Sequence, residues 1–201
     1  MRSRPTRPTT RRGASEQGIA LIEVMVSLVI LLFGLLGLAG MSTRANLAEM
    51  ESYQRIKAVQ ALQDMADRLN ANRKVANCYS NGATGLQVSE SSAALPSCVD
   101  GNAQQQAQVA ADLAAWSALL RGESETQSGA KIGAMIGAVG CVTLEDATDR
   151  VYMIAIAWQG LAKTAAPRKA DGTAFPCGDG AFGDEKLHRV VTTKVRIGVL
   201  S

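Results

Sequence analysis

Residues 19–41 carry a single charge, Glu23, in an otherwise apolar run. As a helix rising about 1.5 Å per residue, the run extends roughly 34 Å, enough to cross a hydrocarbon core about 30 Å thick. Few other structures can hide so long an apolar stretch. A carboxylate near one end of such a segment costs on the order of 2 kcal/mol or more, and less close to the interface. A span built only for anchoring has no use for it. Glu23 therefore marks a function, and a positive charge close by is its expected partner.

Two bland readings compete with that one. A cleaved secretory signal peptide has an apolar core of about 7–15 residues followed by a small-x-small site. This core is too long, and Ser42-Thr43-Arg44 follows it. An ordinary single-pass anchor fits the length but leaves Glu23 and the preceding Gly18 without a purpose. In every case the orientation is the same. Arg2, Arg4, Arg7, Arg11 and Arg12 precede the run, holding the N-terminus in the cytoplasm and sending the remainder outward. These arginines lack interleaved aromatics, so no nucleic acid is expected as a partner.

The string Arg11-Arg12-Gly13-Ala14-Ser15-Glu16-Gln17-Gly18, followed by an apolar run with Glu at its fifth position, resembles the class III signal of type IV prepilins. In that family a membrane-embedded prepilin peptidase cuts after the glycine and methylates the new amine. The resemblance implies a leader 1–18 ending at Gly18, with Ile19 as the methylated mature N-terminus. Glu23 would be the family's helix glutamate. Phe is the usual first mature residue, where this chain has Ile19. The stretch 21–27 together with 34–41 is most similar to the PilV-like, pilus-modification subfamily of minor pilins. Removing the leader takes away five of 21 basic residues and only Glu16 of 18 acidic ones. The mature side chains then sum to about −1, so the +3 of the whole chain says nothing about acidic partners.

Beyond Met41 the pattern becomes amphipathic. Leu47, Met50, Ala58, Ala61, Leu62, Met65 and Leu69 share one face at the helical period. Glu51 with Arg55, and Asp64 with Arg68, stand four apart in the favourable order, each adding a few tenths of a kcal/mol, roughly 0.2–0.5. No proline occurs between Ile19 and Leu95. One helix is therefore expected from about Ile19 to about Arg73: an apolar membrane or filament-core half, 19–41, and an amphipathic half, 42–73. Gly34, Gly37 and Gly40 lie in the first half, at about 1 kcal/mol each in helix propensity. They allow either local loosening or close helix packing.

Residues 74–201 read as a globular head. Residues 74–102 look like an irregular connection. Ala103 to Leu120 reads as a second helix, with Asn102 as N-cap, Arg121-Gly122 as its end, and Val109, Leu113, Trp116 and Leu120 on its inner face. The glycine-rich stretch 122–138 reads as a loop. Strands are expected at 141–144, at 151–158 (apolar on both faces) and at 190–200 (alternating), with a hairpin through 146–150 and a long excursion over 159–188. The fold class is α+β. The resemblance makes it type IV pilin-like: a long N-terminal helix packed on a small antiparallel sheet.

Cys78, Cys98, Cys141 and Cys177 all lie beyond the membrane segment, on the side where disulfides persist. Four cysteines allow three connectivities, and sequence alone does not choose. The expectation is Cys78–Cys98 and Cys141–Cys177, since each closes a local loop. The second also resembles the disulfide-bounded C-terminal loop of pilins. No cysteine pair has zinc-site spacing, and a single histidine remains to help, so no metal is expected. That histidine, His188, reads as a surface or sheet-edge residue, and Trp116 as core. Asp179, Asp184 and Glu185 lack the spacing of a calcium loop and read as solvated. No nucleophile elbow or phosphate-cradling loop occurs. No enzyme activity and no cofactor are expected.

The expected function is therefore structural. A minor type IV pilin starts as a single-pass inner-membrane precursor with a periplasmic C-terminus, and then primes or joins a pilus at the cell surface. Its expected partners are the prepilin peptidase, other minor pilins, the major pilin and the inner membrane. Glu23 would pair with an N-terminal amine, its own or a neighbour's, as a check on register. Two alternatives keep the same signal and helix. One is a minor pseudopilin of a type II secretion system. The other is a pilus-tip subunit for adhesion or DNA uptake, contacting through 122–138 and 159–188, where Lys163, Arg168 and Lys169 make only a weak basic patch.

Overall fold

The computed structural model describes residues 17–89, 98–123, 126–128, 130–131 and 135–198. Leader residues 1–16, Gly129, Gly133, Val199 and Leu200 lie outside the described residues. The architecture is α+β: a long, largely apolar N-terminal helix, a second helix and a small four-stranded antiparallel sheet. The chain divides into two compact units, Met1–Asn46 and Leu47–Ser201.

Helix α1 runs Gln17–Ala71. In the first unit its large apolar side chains between Leu21 and Met41 are all exposed. A Cβ added at Gly34, Gly37 or Gly40 would stand in open space. Ser27 Oγ donates to the Glu23 carbonyl at 2.7 Å, and Thr43 Oγ1 to that of Ala39 at 3.1 Å. These back-bonds let two hydroxyls sit on a helix without unpaired donors.

In the second unit α1 continues as an amphipathic helix. Ala58, Ala61, Leu62, Met65 and Leu69 are buried, whereas Leu47 is 44% and Met50 54% exposed. The expected stripe is thus too long at its N-terminal end: among the described residues Gln54 is the first along the helix to be buried. The Glu51–Arg55 pair is also corrected. Glu51 Oε1 instead accepts from the Leu161 and Ala162 N–H groups, both at 3.0 Å, and from Arg189 Nη2 at 3.2 Å. Three converging donors fix that carboxylate better than one exposed neighbour on the same helix. Asp64–Arg68 does form, at 2.7 Å.

After α1 the chain makes short 3-10 turns, Arg73–Tyr79 and Gly82–Thr84, and then strand β1, Leu86–Val88. The stretch expected as irregular thus hides one edge of the sheet, and three residues are too few to display an alternation. Helix α2, Ala103–Leu120, starts in a reciprocal cap: Asn102 Oδ1 accepts the Gln105 N–H at 2.9 Å and Gln105 Oε1 accepts the Asn102 N–H at 3.1 Å. The stretch expected as a loop at 122–138 contains two-residue strands β2, Thr126–Gln127, and β3, Ala130–Lys131, paired antiparallel.

Strand β4, Val139–Asp146, is longer than expected; β5 is Val151–Gln159 and β6 is His188–Arg196. The order is β1-β4-β5-β6, antiparallel throughout. Central β5 separates two cores. One face places Tyr152, Ile154, Ile156 and Trp158 against the α1 and α2 stripes. The other places Ala155 and Ala157 under Phe175, Cys177 and Phe182 of the excursion that follows β5. A strand apolar on both faces is what two covering layers require.

Candidate functional site

The residues singled out from sequence fall into two groups, one in each unit. In the first, Gly18 and Ile19 lie in the opening turn of α1 and Glu23 in the turn after it. The helix period then carries only apolar and small residues to Met41. Such a surface is compatible with burial in an apolar phase, against lipid or against other apolar helices, with one carboxylate to be satisfied there.

In the second group, Cys78 is bonded to Cys98 and Cys141 to Cys177. The second disulfide joins β4 to the excursion and closes a loop that contains the whole of β5. It pins the excursion over the outer face of the sheet. Several acids and bases of that excursion are occupied locally. Lys163 meets Asp184 at 2.8 Å, Lys169 meets Asp171 at 3.7 Å, and Arg168 Nη1 donates to the Gly172 carbonyl at 2.8 Å. The weak basic patch is therefore largely spent on its own loop. Asp184 also accepts the Lys186 N–H, and Glu185 accepts the Gly180 N–H at 2.8 Å. These carboxylates serve as caps rather than converging on a shared point.

Of the two places expected for His188, the sheet edge is the one it takes, though not at the surface. It begins the edge strand β6, yet only 1% of it is exposed. Phe182 packs at 5.0 Å between ring centroids, and Nδ1 lies 2.8 Å from Glu185 Oε2. Its polar neighbours in sequence, Lys186 and Arg189, disguise this. Burial comes from the excursion folding back over the strand.

Two functional-looking clusters are absent from the sequence reading. Asp112, buried in α2, accepts from Arg68 Nη1 and Gln108 Nε2, each at 2.9 Å, and from the Tyr79 hydroxyl. Burial first, and then this acceptor, push the Tyr79 hydroxyl far above its ordinary value, so it remains a donor. The signal was available: Asp112 stands three residues after Val109 and four before Trp116, on the inner face of α2. The other is an open groove between α1 and β6, where Arg55 borders two adjoining cavities of about 410 and 470 Å3. Its walls come from segments far apart in sequence, and no local pattern announces it. Among the described residues no cluster of three or more His, Cys, Asp or Glu side chains is placed to hold a metal.

Comparison with protein-family models, with curated proteins and with solved structures finds no match to this chain.

Proposed function

We propose that the chain is a minor type IV pilin of the pilus-modification kind. In this reading it is made as a single-pass inner-membrane precursor and is cut after Gly18 by a prepilin peptidase. It then joins other minor pilins and the major pilin at the base of a growing filament. The observation that carries the proposal is α1 itself. Between Leu21 and Met41 its large apolar side chains are exposed all round, and the run 19–41 contains one charge, Glu23, five positions beyond Gly18. A helix of this kind can pass from lipid to a bundle of like helices without changing its solvent, because both are apolar. The disulfides of the second unit suit an oxidising compartment on the far side of the membrane.

Glu23 then has a definite task. In an apolar filament core an unpaired carboxylate is costly, while one paired with an N-terminal ammonium is strongly favoured. Subunits seat only where that pair can close. N-terminal mass analysis of the protein from its native membrane or from sheared pili tests the proposal. A mature chain beginning at methylated Ile19 supports it. A retained arginine leader in cells with an active prepilin peptidase overturns it. In the same cells Glu23→Gln is expected to be cut after Gly18 as usual yet to disappear from sheared pili. Normal incorporation would remove the register role from Glu23.

A further inference from the structure

The last strand of the sheet has one bare side. The Gly160 N–H bonds to the Leu187 carbonyl at 2.7 Å and the Ile197 N–H to that of Arg150 at 3.1 Å. These bonds bracket the β5–β6 ladder and fix its phase. Arg189, Val191, Thr193 and Val195 exchange hydrogen bonds with β5, so the N–H and C=O groups of Val190, Thr192, Lys194 and Arg196 point away from the sheet. Among the described residues no backbone group meets them. Such an edge is a template for another strand.

The groove noted above opens along the same stretch. The larger of its two parts, about 470 Å3, is bounded by Arg55, Val59, Leu62 and Ala66 of α1 and by Val191 and Thr193 of β6. A strand added to β6 would lie about 4.8 Å from it and send alternate side chains to opposite faces. One set would enter this groove over Val59 and Leu62. The other would stand beside Thr192, Lys194 and Arg196. The charges along this edge are basic. Arg55 has no ion partner among the described residues, and Lys194 and Arg196 have side chains 66% and 69% exposed, with one acid each, Glu145 and Asp149. Both heads keep further donors.

We propose that β6 is a strand-addition site for an extended segment of a partner chain, apolar at alternate positions and acidic at those between. Main-chain bonds to Val190, Thr192, Lys194 and Arg196 supply the affinity, and the groove with its basic border supplies the choice of sequence. This inference stands independently of the pilin reading.

The test uses the full chain in detergent micelles and a short synthetic peptide alternating valine with glutamate. Amide exchange is expected to slow on binding at Val190, Thr192, Lys194 and Arg196, while Val191, Thr193 and Val195 stay as protected as before. Thr192→Pro removes one outward N–H at an edge position that tolerates proline, and it is expected to weaken binding about tenfold, roughly the loss of one or two main-chain bonds. Arg55→Glu is expected to weaken the glutamate peptide and favour one alternating valine with lysine. It carries the test should Thr192→Pro not fold. Equal binding of the two peptides, or protection confined to another region, would overturn the proposal. So would concentration-dependent self-association lost in Thr192→Pro, which would give the edge to a second copy of the chain.

Discussion

Glu51 shows how a single side chain ties distant segments together. Its Oε1 collects the Leu161 and Ala162 N–H groups and the Arg189 guanidinium, which belong to the excursion and to β6. Partial desolvation works against the charge. The Ala162 N–H, Arg189 and the Leu161 N–H outweigh it and hold the carboxyl below its ordinary value of 4.5. The folded state therefore prefers the ionised form. Its contribution to stability is complete above the ordinary carboxylate range and is lost as pH falls through the lowered value. Glu185, held down by His188 and by the Gly180 N–H, acts in the same direction. Urea unfolding across a pH series is expected to show stability declining below about pH 4.5. Glu51→Gln should flatten part of that decline and lower stability at neutral pH by about 1–2 kcal/mol. An unchanged acid limb in the variant would remove Glu51 from the account. At this scale the sequence is legible where partners are local, as with the Asn102 cap and the Asp64–Arg68 pair. It is opaque for Glu51 and Arg189, 138 positions apart, and for His188, whose polar neighbours hide its burial.

Between elements, α2 presses closely on β4. Gly140 permits it: a Cβ there would come within 2.6 Å of Leu120 Cδ1 and closer still to the Trp116 ring. Both side chains are fully buried, and the Trp116 Nε1–H is tied to the Ala61 carbonyl at 2.9 Å. The ring cannot retreat without breaking that bond. Gly140→Ala is therefore expected to destabilise by about 1–3 kcal/mol through overpacking, although alanine is the better strand former. Gly198→Ala, where an added Cβ meets nothing, should change stability by less than about 0.5 kcal/mol. Thermal unfolding of the two variants decides it, and equal melting temperatures would mean that α2 does not press on β4. An unbroken apolar run revealed β5, and periodicity revealed α2 and β6 because each repeats its pattern several times. It missed β1, β2 and β3, which are too short to repeat anything. It also shortened β4, whose ends include Gly140, Glu145 and Asp146, residues of weak strand preference; pairing with β5 holds Val139, Gly140 and Asp146 in the ladder all the same.

At the scale of the whole molecule, the two compact units differ in what satisfies their apolar residues. Among the described residues, every member of the two cores lies between Ala58 and Ile197. Both disulfides close within the same range. The second unit, Leu47–Ser201, thus buries the stripe from Ala58 to Leu69 and carries its own cross-links. In the first unit the large apolar side chains from Leu21 to Met41 are exposed. A fragment comprising residues 47–201, exported to an oxidising compartment, is accordingly expected to fold without the rest. It should unfold in one cooperative transition within a few degrees, roughly 4–8, of the full chain. It should also stay in the aqueous phase of a detergent partition, whereas the full chain enters the detergent phase. Calorimetry and phase partition on the two proteins make the comparison. A fragment without a cooperative transition would mean that residues 1–46 complete the core, and a full chain remaining in water would mean that the exposed helix finds its cover elsewhere. If both expectations hold, stability resides in one unit and the demand for an apolar partner in the other. That separation would let the apolar helix change its surroundings while the second unit stays folded.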